Sequence, residues 1–158
     1  VSFFLAPHVA TVTAADSSEG MLTVLRQKID QSGLQAIRAM RLDLERDAVP
    51  DARYDLIVTN MVMHHVSDTE SMLRNFHALL WPGGVLCVSD LDTEPGVFHD
   101  PEAAATVHHH GFDRREFRGL LEQAGFHDIQ DTTAHTIRKP VAGGGERDFP
   151  VFLMTGRH

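Results

Sequence analysis

The sequence predicts an α/β fold of the doubly wound type, with a mostly parallel sheet that ends in an antiparallel hairpin. Short apolar segments rich in β-branched residues alternate about four times with amphipathic segments of helical period. This alternation is typical of parallel strands covered by helices. The last two apolar segments, 129–137 and 149–155, are joined instead by a glycine-rich loop at 143–145, which favours a hairpin.

The first predicted strand and helix follow each other directly. Residues 9–15 are small or β-branched and predict a strand. Residues 18–31 predict a helix, because their apolar side chains fall on one face. Ser17 or Ser18 can cap the start of this helix, and Gly33 can end it.

The middle of the chain repeats the same pattern. Residues 36–42 predict a second strand, and residues 54–60 predict a third, apolar through its middle as expected when helices cover both faces of a sheet. Residues 69–80 predict an amphipathic helix. The Pro-Gly-Gly segment 82–84 should stop that helix and turn the chain into a fourth strand at 85–89.

The last predicted helix begins at Asp113, since Asp113 and Glu116 have the spacing of a capping box, and Gly125 ends it.

One polar residue closes each of the four predicted strands. In doubly wound sheets, ligands bind outside the carboxyl ends of the strands. We therefore expect a ligand site at these strand ends, which carry Asp16, Asp43, Asn60 and Asp90.

Composition indicates one domain, residues 1–158, that binds neither nucleic acid nor an anionic membrane. The net charge is −8, and only two of the 14 basic residues are lysines, whereas both partners require clustered cations. Cys87 is the single cysteine, so no disulfide can form within the chain and a reducing, cytoplasmic location is expected. No apolar run approaches the roughly 20 residues of a membrane span.

Asp16 ends a strand and stands directly before a helix. A carboxylate in this place can accept hydrogen bonds from both hydroxyls of a ribose, or it can simply cap the helix. We favour the ribose, because the other strand ends are polar too. The glycine-rich phosphate turn that normally precedes such an acid by about 20 residues would lie before Val1.

Four segments in order carry a family resemblance. They are the acidic strand end with Met21-Leu22, Leu42-Asp43-Leu44, Tyr54-Asp55 leading to Asn60 and His64-His65, and Leu80-Trp81-Pro82-Gly83-Gly84. With them the chain resembles the S-adenosylmethionine-dependent methyltransferases of the Rossmann-like class, closest to the small-molecule branch of the ubiquinone-biosynthesis type. The family's first strand and glycine loop are missing from this chain. The apolar segment 1–6 resembles the end of the helix that follows that loop, rather than a signal peptide.

The resemblance implies S-adenosyl-L-methionine as cofactor and a small molecule as methyl acceptor. It implies that Asp16 binds the ribose hydroxyls, with Ser17 and Met21 beside the adenosine. Asp43 would meet the adenine amine and Leu44 the ring. Three residues after the third strand would line the methionine end of the cofactor, namely Asn60, Met61 and Val62.

Methyl transfer from a sulfonium requires alignment more than acid–base chemistry. A base helps where the acceptor must lose a proton, and His65 and His64 are the candidates, with His65 slightly preferred on its family position. The competing interpretation is that one histidine is buried and hydrogen-bonded and the other is on the surface.

Eleven histidines also raise the question of a metal. His108–His110 could join His99, Asp90 and Asp92 as ligands. Adjacent histidines normally point in different directions, and the sequence has no His-x3-His pair. We therefore expect no metal site.

Three other functions compete with this one. A short-chain dehydrogenase would need Tyr-x-x-x-Lys, and the single tyrosine, Tyr54, has no such lysine. A nucleic-acid methyltransferase is disfavoured by charge and by Asn60-Met-Val-Met63 where an Asn/Asp-Pro-Pro-aromatic segment would stand. A methyltransferase-like domain without activity, acting as a binding or regulatory subunit, stays open as the alternative.

Overall fold

The computed structural model describes residues 1–141 and 144–158, apart from the side chains of residues 101 and 103. Residues 142 and 143, in the predicted glycine-rich loop, lie outside this range. The chain divides into two compact units, Val1–Ala48 and Val49–His158.

The first unit is a parallel β-α-β segment. Its elements are α1 (Ser2–Leu5), a 3₁₀ turn (Ala6–His8), β1 (Val12–Asp16), α2 (Glu19–Ser32) and β2 (Ile37–Arg41). β1 and β2 pair in parallel from Val12 opposite Ile37 to Asp16 opposite Arg41. All three predicted elements of this region are confirmed, with boundaries shifted by one to three residues.

Local sequence explains how α2 begins and ends. The Ser18 hydroxyl accepts a hydrogen bond from the Met21 amide at 3.3 Å, as an N-cap does. Gly33 follows the helix at φ +67°, the left-handed conformation that glycine adopts without strain. Leu22 on the inner face is fully buried. A small core of Ala6, Ala14 and Ile37 lies beneath the two strands.

The second unit contains a four-stranded mixed sheet in the order β3-β4-β6-β5. Its elements are β3 (Tyr54–Asn60), a 3₁₀ turn (Met63–His65), α3 (Thr69–Ala78), β4 (Leu80–Leu91), α4 (Pro101–Ala104), α5 (Arg114–Gln123), β5 (His127–Pro140) and β6 (Glu146–Arg157). β3 and β4 are parallel, whereas β6 is antiparallel to both β4 and β5.

The carboxyl-terminal hairpin is confirmed, but the prediction of a mostly parallel sheet is wrong for the described residues. Two strand pairings are parallel and two are antiparallel, and the hydrogen bonds form two sheets rather than one. The hairpin is longer than the sequence predicts. β5 and β6 span 14 and 12 residues, because polar and charged residues extend both strands beyond their apolar centres.

The prediction that the Pro82–Gly84 segment separates a helix from a strand is wrong, because the segment lies within β4. Tyr54 pairs with Leu80 and Leu56 with Val85, so β4 holds three more residues than β3 across this stretch. Gly83 has φ +83°, and a Cβ on Gly84 would meet the Trp81 carbonyl oxygen at 2.8 Å. Both glycines therefore permit a bulge rather than a break.

The core of the second unit lies between the sheet and α5. Phe117 and Leu121 on α5 are buried, and the Phe117 ring lies 5.5 Å from that of Phe152 on β6. At the other end of the sheet, β3 pairs with β4 alone among the described strands. Leu56 and Val58 on β3 are each 37% exposed, a large exposure for the apolar centre of a strand.

Candidate active site

The carboxylate of Asp16 lies at the last position of β1 and is half-buried. Its Oδ1 accepts a hydrogen bond from the Ser18 amide at 2.8 Å. The interaction that the capping interpretation requires is thus present, and it occupies one carboxylate oxygen. The neighbouring site candidates Ser17 and Met21 are exposed, Met21 by 59%.

Asp43 lies in the turn that follows β2. Its Oδ1 accepts from the Glu45 amide at 3.1 Å, and its Oδ2 lies 3.9 Å from the Arg46 Nε. Asp47 closes the turn, because its Oδ2 accepts from the Asp43 amide at 2.9 Å. The Asp43 side chain is 16% exposed, and Leu44 beside it is half-buried. These contacts fix the acid by local backbone geometry.

In the second unit, the chain turns sharply after β3. Asn60 is the last residue of that strand, and the Ser89 hydroxyl on β4 donates to its Oδ1 at 2.6 Å. Met61 has φ +55°, an uncommon conformation for a residue with a side chain, which is found often at functional sites. Its amide donates to the Ser89 carbonyl at 2.8 Å. Val62 follows and is 47% exposed.

The 3₁₀ turn after Val62 places His64 against Asp90 at the end of β4. Asp90 is fully buried and His64 is 1% exposed. The His64 Nδ1 donates to Asp90 Oδ1 at 2.6 Å. The amides of His64 and Leu91 also donate to the same carboxylate, at 3.3 and 2.8 Å. The buried Asp90 carboxylate thus accepts from three donors.

A third histidine completes this group. The Nε2 of His99 lies 3.1 Å from the Nε2 of His64. The His65 ring centroid lies 4.2 Å from that of His64 and 5.3 Å from that of His99. Burial is the main reason that the pKa of His99 lies below its usual value, and the charges of His64 and His65 lower it further. We call His64, His65, His99 and Asp90 the histidine cluster.

The histidine-rich segment 108–110 folds back onto this turn without joining the cluster. The amides of His108 and His109 donate to the His64 carbonyl at 2.9 and 3.1 Å. The His109 Nε2 donates to the Val66 carbonyl at 3.0 Å. Through these hydrogen bonds the segment stabilises the Met63–His65 turn. It also borders a cavity of about 670 Å³ that continues along α5.

The structure thus separates the predicted site residues into two sets. Asp16, Ser17, Met21, Asp43 and Leu44 lie in the first unit; Asn60, Met61, Val62, His64 and His65 lie in the second. Sequence reasoning named His64 and Asp90 but missed their pairing and the approach of His99. It also missed the ion pair of Arg114 with Asp92, whose Nε–Oδ1 distance is 2.6 Å.

One ring nitrogen of each of His64, His65 and His99 lies within 4.8 Å of those of the other two. The prediction that no metal binds rested on adjacent histidines pointing apart. In the 3₁₀ turn, the two adjacent rings instead lie side by side. The ligand set is therefore different from the one weighed in the sequence, which combined segment 108–110 with His99 and the two aspartates.

Comparison with known proteins gives the class. A family model described as a methyltransferase domain matches residues 2–131. The chain belongs to this methyltransferase family. No helix among the described residues is long and apolar enough to cross a membrane.

Individual relatives are similar over part of their length. The chain is 37% identical over 86 residues to the ubiquinone biosynthesis O-methyltransferase of Ruegeria pomeroyi, a match that covers 54% of this chain and 34% of that protein. It is 33% identical over 90 residues to phosphoethanolamine N-methyltransferase 1 of Triticum aestivum, covering 54% of this chain and 18% of that protein. The chain therefore matches about a third or less of these relatives.

Among solved structures, phosphoethanolamine N-methyltransferase 2 of Haemonchus contortus, in complex with S-adenosyl-L-methionine, aligns with a TM-score of 0.74. The sequence identity is 12%, and the alignment covers 97% of this chain and 44% of that one. At this identity the comparison establishes the fold: an α/β fold of the methyltransferase kind, with a mixed sheet.

Proposed function

We propose that this chain forms a single domain that transfers a methyl group from S-adenosyl-L-methionine to a small-molecule acceptor. The observation that carries the proposal is the series of polar residues at strand ends in a chain of this family. Asp16 ends β1, Asp43 follows β2 and Asn60 ends β3. Relatives named for ubiquinone biosynthesis and for phosphoethanolamine support a small acceptor, and the single cysteine favours a cytoplasmic location.

In this proposal, residues at the ends of β1 and β2 recognise the nucleoside of the cofactor. Asp16 accepts from the ribose hydroxyls, and Ser17 and Met21 border the adenosine. Asp43 accepts from the adenine amine while Leu44 packs on the ring. Both acids already hold one backbone amide, so each would orient the ligand with a carboxylate whose direction is fixed.

Residues that follow β3 are proposed to bind the methionine end of the cofactor and the acceptor. Asn60, Met61 and Val62 line the methionine end, on the turn that the left-handed Met61 creates. When bound, the cofactor supplies an activated methyl group on a sulfonium. The protein then mainly has to hold the acceptor in line with it.

Where the acceptor must lose a proton, we propose that His65 rather than His64 accepts it as the general base. Both nitrogens of His64 have partners, Asp90 and His99, and the ring is buried. The His65 Nδ1 donates to the Thr106 carbonyl at 2.8 Å, so in the neutral ring the lone pair is on Nε2. His65 is half-buried and lies closer to the surface. His64 then acts as a positioning residue beside it.

The glycine turn that would hold the methionine carboxylate is proposed to come from sequence outside these 158 residues. The open edge of β3 supports this, because Leu56 and Val58 are exposed there and a further parallel strand would cover them.

The test is calorimetric titration of S-adenosylhomocysteine into the longest product of the gene. We expect saturable binding that Asp16→Asn weakens at least tenfold, or about 1.4 kcal/mol. Asparagine keeps an oxygen for the Ser18 amide and removes the charge, so the α2 cap survives. Asp30→Asn removes a charge from the exposed side of α2 and should leave binding unchanged.

Binding that is equal in the Asp16→Asn and Asp30→Asn proteins would show that Asp16 only caps the helix. No binding at all would favour the alternative, a methyltransferase-like domain without activity that serves as a binding or regulatory subunit.

A further inference from the structure

The geometry points to a metal site in the second unit, in which the ring nitrogens of His64, His65 and His99 bind a divalent transition metal of the zinc class. One nitrogen of each ring lies within 4.8 Å of the other two. The inference rests on this cluster alone and requires neither the cofactor nor methyl transfer. It replaces the expectation, drawn from sequence spacing, that no metal binds.

The hydrogen bond to Asp90 fixes the tautomer of His64. Its Nδ1 faces the buried carboxylate of Asp90 at 2.6 Å, and a carboxylate can only accept, so the proton is on Nδ1. In the neutral ring the lone pair is therefore on Nε2, which points toward His99. A carboxylate behind a histidine is the arrangement that orients metal-binding imidazoles and increases their basicity.

His65 has the same arrangement with a different partner. Its Nδ1 lies 2.8 Å from the Thr106 carbonyl, which likewise can only accept. We therefore assign Nε2 as the ligand atom of His65. Backbone carbonyls are the other common partner of metal-binding histidines. Two rings, adjacent in sequence, are thus fixed in the tautomer that presents Nε2.

The ring nitrogens of His64 and His99 lie unusually close together. Their Nε2 atoms lie 3.1 Å apart, and two lone pairs this close would repel, so a proton or a cation must lie between them. In a tetrahedral site with zinc–nitrogen bonds of 2.0–2.1 Å, ligand nitrogens are about 3.3 Å apart. His64 and His99 are already at that spacing, and a nitrogen of His65 lies within 4.8 Å of both, so a small shift of its side chain on metal binding would complete the set.

The donor set selects the metal. Three imidazoles suit zinc, cobalt, copper or nickel, whereas magnesium and calcium prefer oxygen ligands. Three histidines leave the fourth position of a tetrahedral ion open to water, as in catalytic zinc sites. If the proposed function holds, an acceptor hydroxyl could replace that water and lose its proton to solvent; His65 would then hold the metal instead of acting as the base.

The test is titration of the metal-free chain with Co²⁺, which reports tetrahedral coordination by strong visible absorption. We expect one equivalent to bind with tetrahedral bands that Zn²⁺ displaces. His99→Ala should weaken binding at least tenfold. His135→Ala, which removes an exposed histidine on β5, should leave the titration unchanged. Circular dichroism checks that each variant is folded.

A second variant leaves the three proposed histidine ligands in place and changes only the carboxylate behind His64. Asp90→Asn retains the size of the buried side chain but not its charge, and should weaken Co²⁺ binding about 10- to 100-fold, as changes behind a metal ligand do. Octahedral spectra in the unmodified chain, or equal affinity in the His99→Ala and His135→Ala proteins, would overturn the proposal and assign the gap between His64 and His99 to a proton.

Titration of S-adenosylhomocysteine into the same protein separates the two proposals. Nucleoside binding without a tetrahedral Co²⁺ spectrum rejects the metal site and leaves the proposed function standing. A tetrahedral spectrum without nucleoside binding does the reverse.

Discussion

The candidate residues of the first unit are held by their neighbours in sequence, whereas those of the second are held by distant ones. Asp16 is bound by the Ser18 amide, two residues away, and Asp43 by that of Glu45, also two residues away. His64 depends on Asp90, 26 residues away, and on His99, 35 residues away.

This difference also separates exposed from buried chemistry. The acids of the first unit keep contact with water, so each hydrogen bond contributes modestly to stability. The carboxylate and imidazole in the histidine cluster are almost fully removed from water. Removing a buried acceptor of this kind is costly, because the buried donors that remain are left without a partner. The two units should therefore respond very differently to the loss of one aspartate.

The largest expected effect is that of Asp90→Ala. Removing this carboxylate leaves the buried Nδ1 of His64 and two backbone amides without their acceptor. Each buried donor left without a partner costs about 1–3 kcal/mol, so we expect the free energy of unfolding to fall by about 3 kcal/mol or more. Urea denaturation followed by circular dichroism measures it.

The matched control is Asp16→Ala, which removes a half-buried aspartate at a strand end of the first unit. Its loss should cost about 1 kcal/mol, the value of a local helix-capping contact. Equal losses in the two variants would contradict the contrast between the units.

The elements of the fold were largely predictable, because their signals are local. Ser18, Gly33 and Asp113 act where the sequence placed them, at the ends of α2 and the start of α5. The Asp113 carboxylate accepts from two amides of the first turn, at 2.8 and 3.0 Å. Capping depends on three or four consecutive residues, so it can be identified without tertiary structure.

The histidine cluster could not be predicted in this way. The contact of His99 with His64 depends on how the segment after β4 returns across the strand ends, and no periodicity encodes that path. The close approach of the His64 and His65 rings, whose planes are tilted by 42°, depends on the 3₁₀ turn that follows the left-handed Met61. The exposure of Leu56 and Val58 on β3 could not be predicted either, since an apolar strand predicts burial on both faces of the sheet.

The next effect is smaller and concerns the helix N-caps, one in each unit. Asp113→Ala removes a charged acceptor of two amides, whereas Ser18→Ala removes a neutral acceptor of one, at 3.3 Å. We expect losses of about 1–2 and about 0.5–1 kcal/mol in the free energy of unfolding. The same urea experiment measures both.

Conservative exchange provides the control for the caps. Asp113→Ser and Ser18→Asp each keep a side-chain oxygen at the cap and should recover most of the stability. If Ser18→Ala cost more than Asp113→Ala, the hydrogen-bond geometry would not govern the two caps.

The smallest effect concerns a second long-range histidine contact, that of His77 with His158. Their rings stack with centroids 3.9 Å apart. Burial is the main reason that the pKa of His77 lies below 6.5, and the charge of His158 lowers it further. NMR titration of the ring protons should show this, and His158→Gln should raise the pKa of His77, whereas His135→Gln, on exposed β5, should not change it.

The sign of the effect on stability follows from linkage. Between the lowered pKa of folded His77 and the value near 6.5 in the unfolded chain, the unfolded state binds more protons. The stability that neutral His77 contributes is therefore complete above about pH 6.5 and is lost as the pH falls toward the folded pKa. His77→Gln should flatten this part of the stability curve. An unchanged slope would mean that the stacked pair is already open to solvent, and the contrast between locally held and distantly held residues would then apply to the histidine cluster alone.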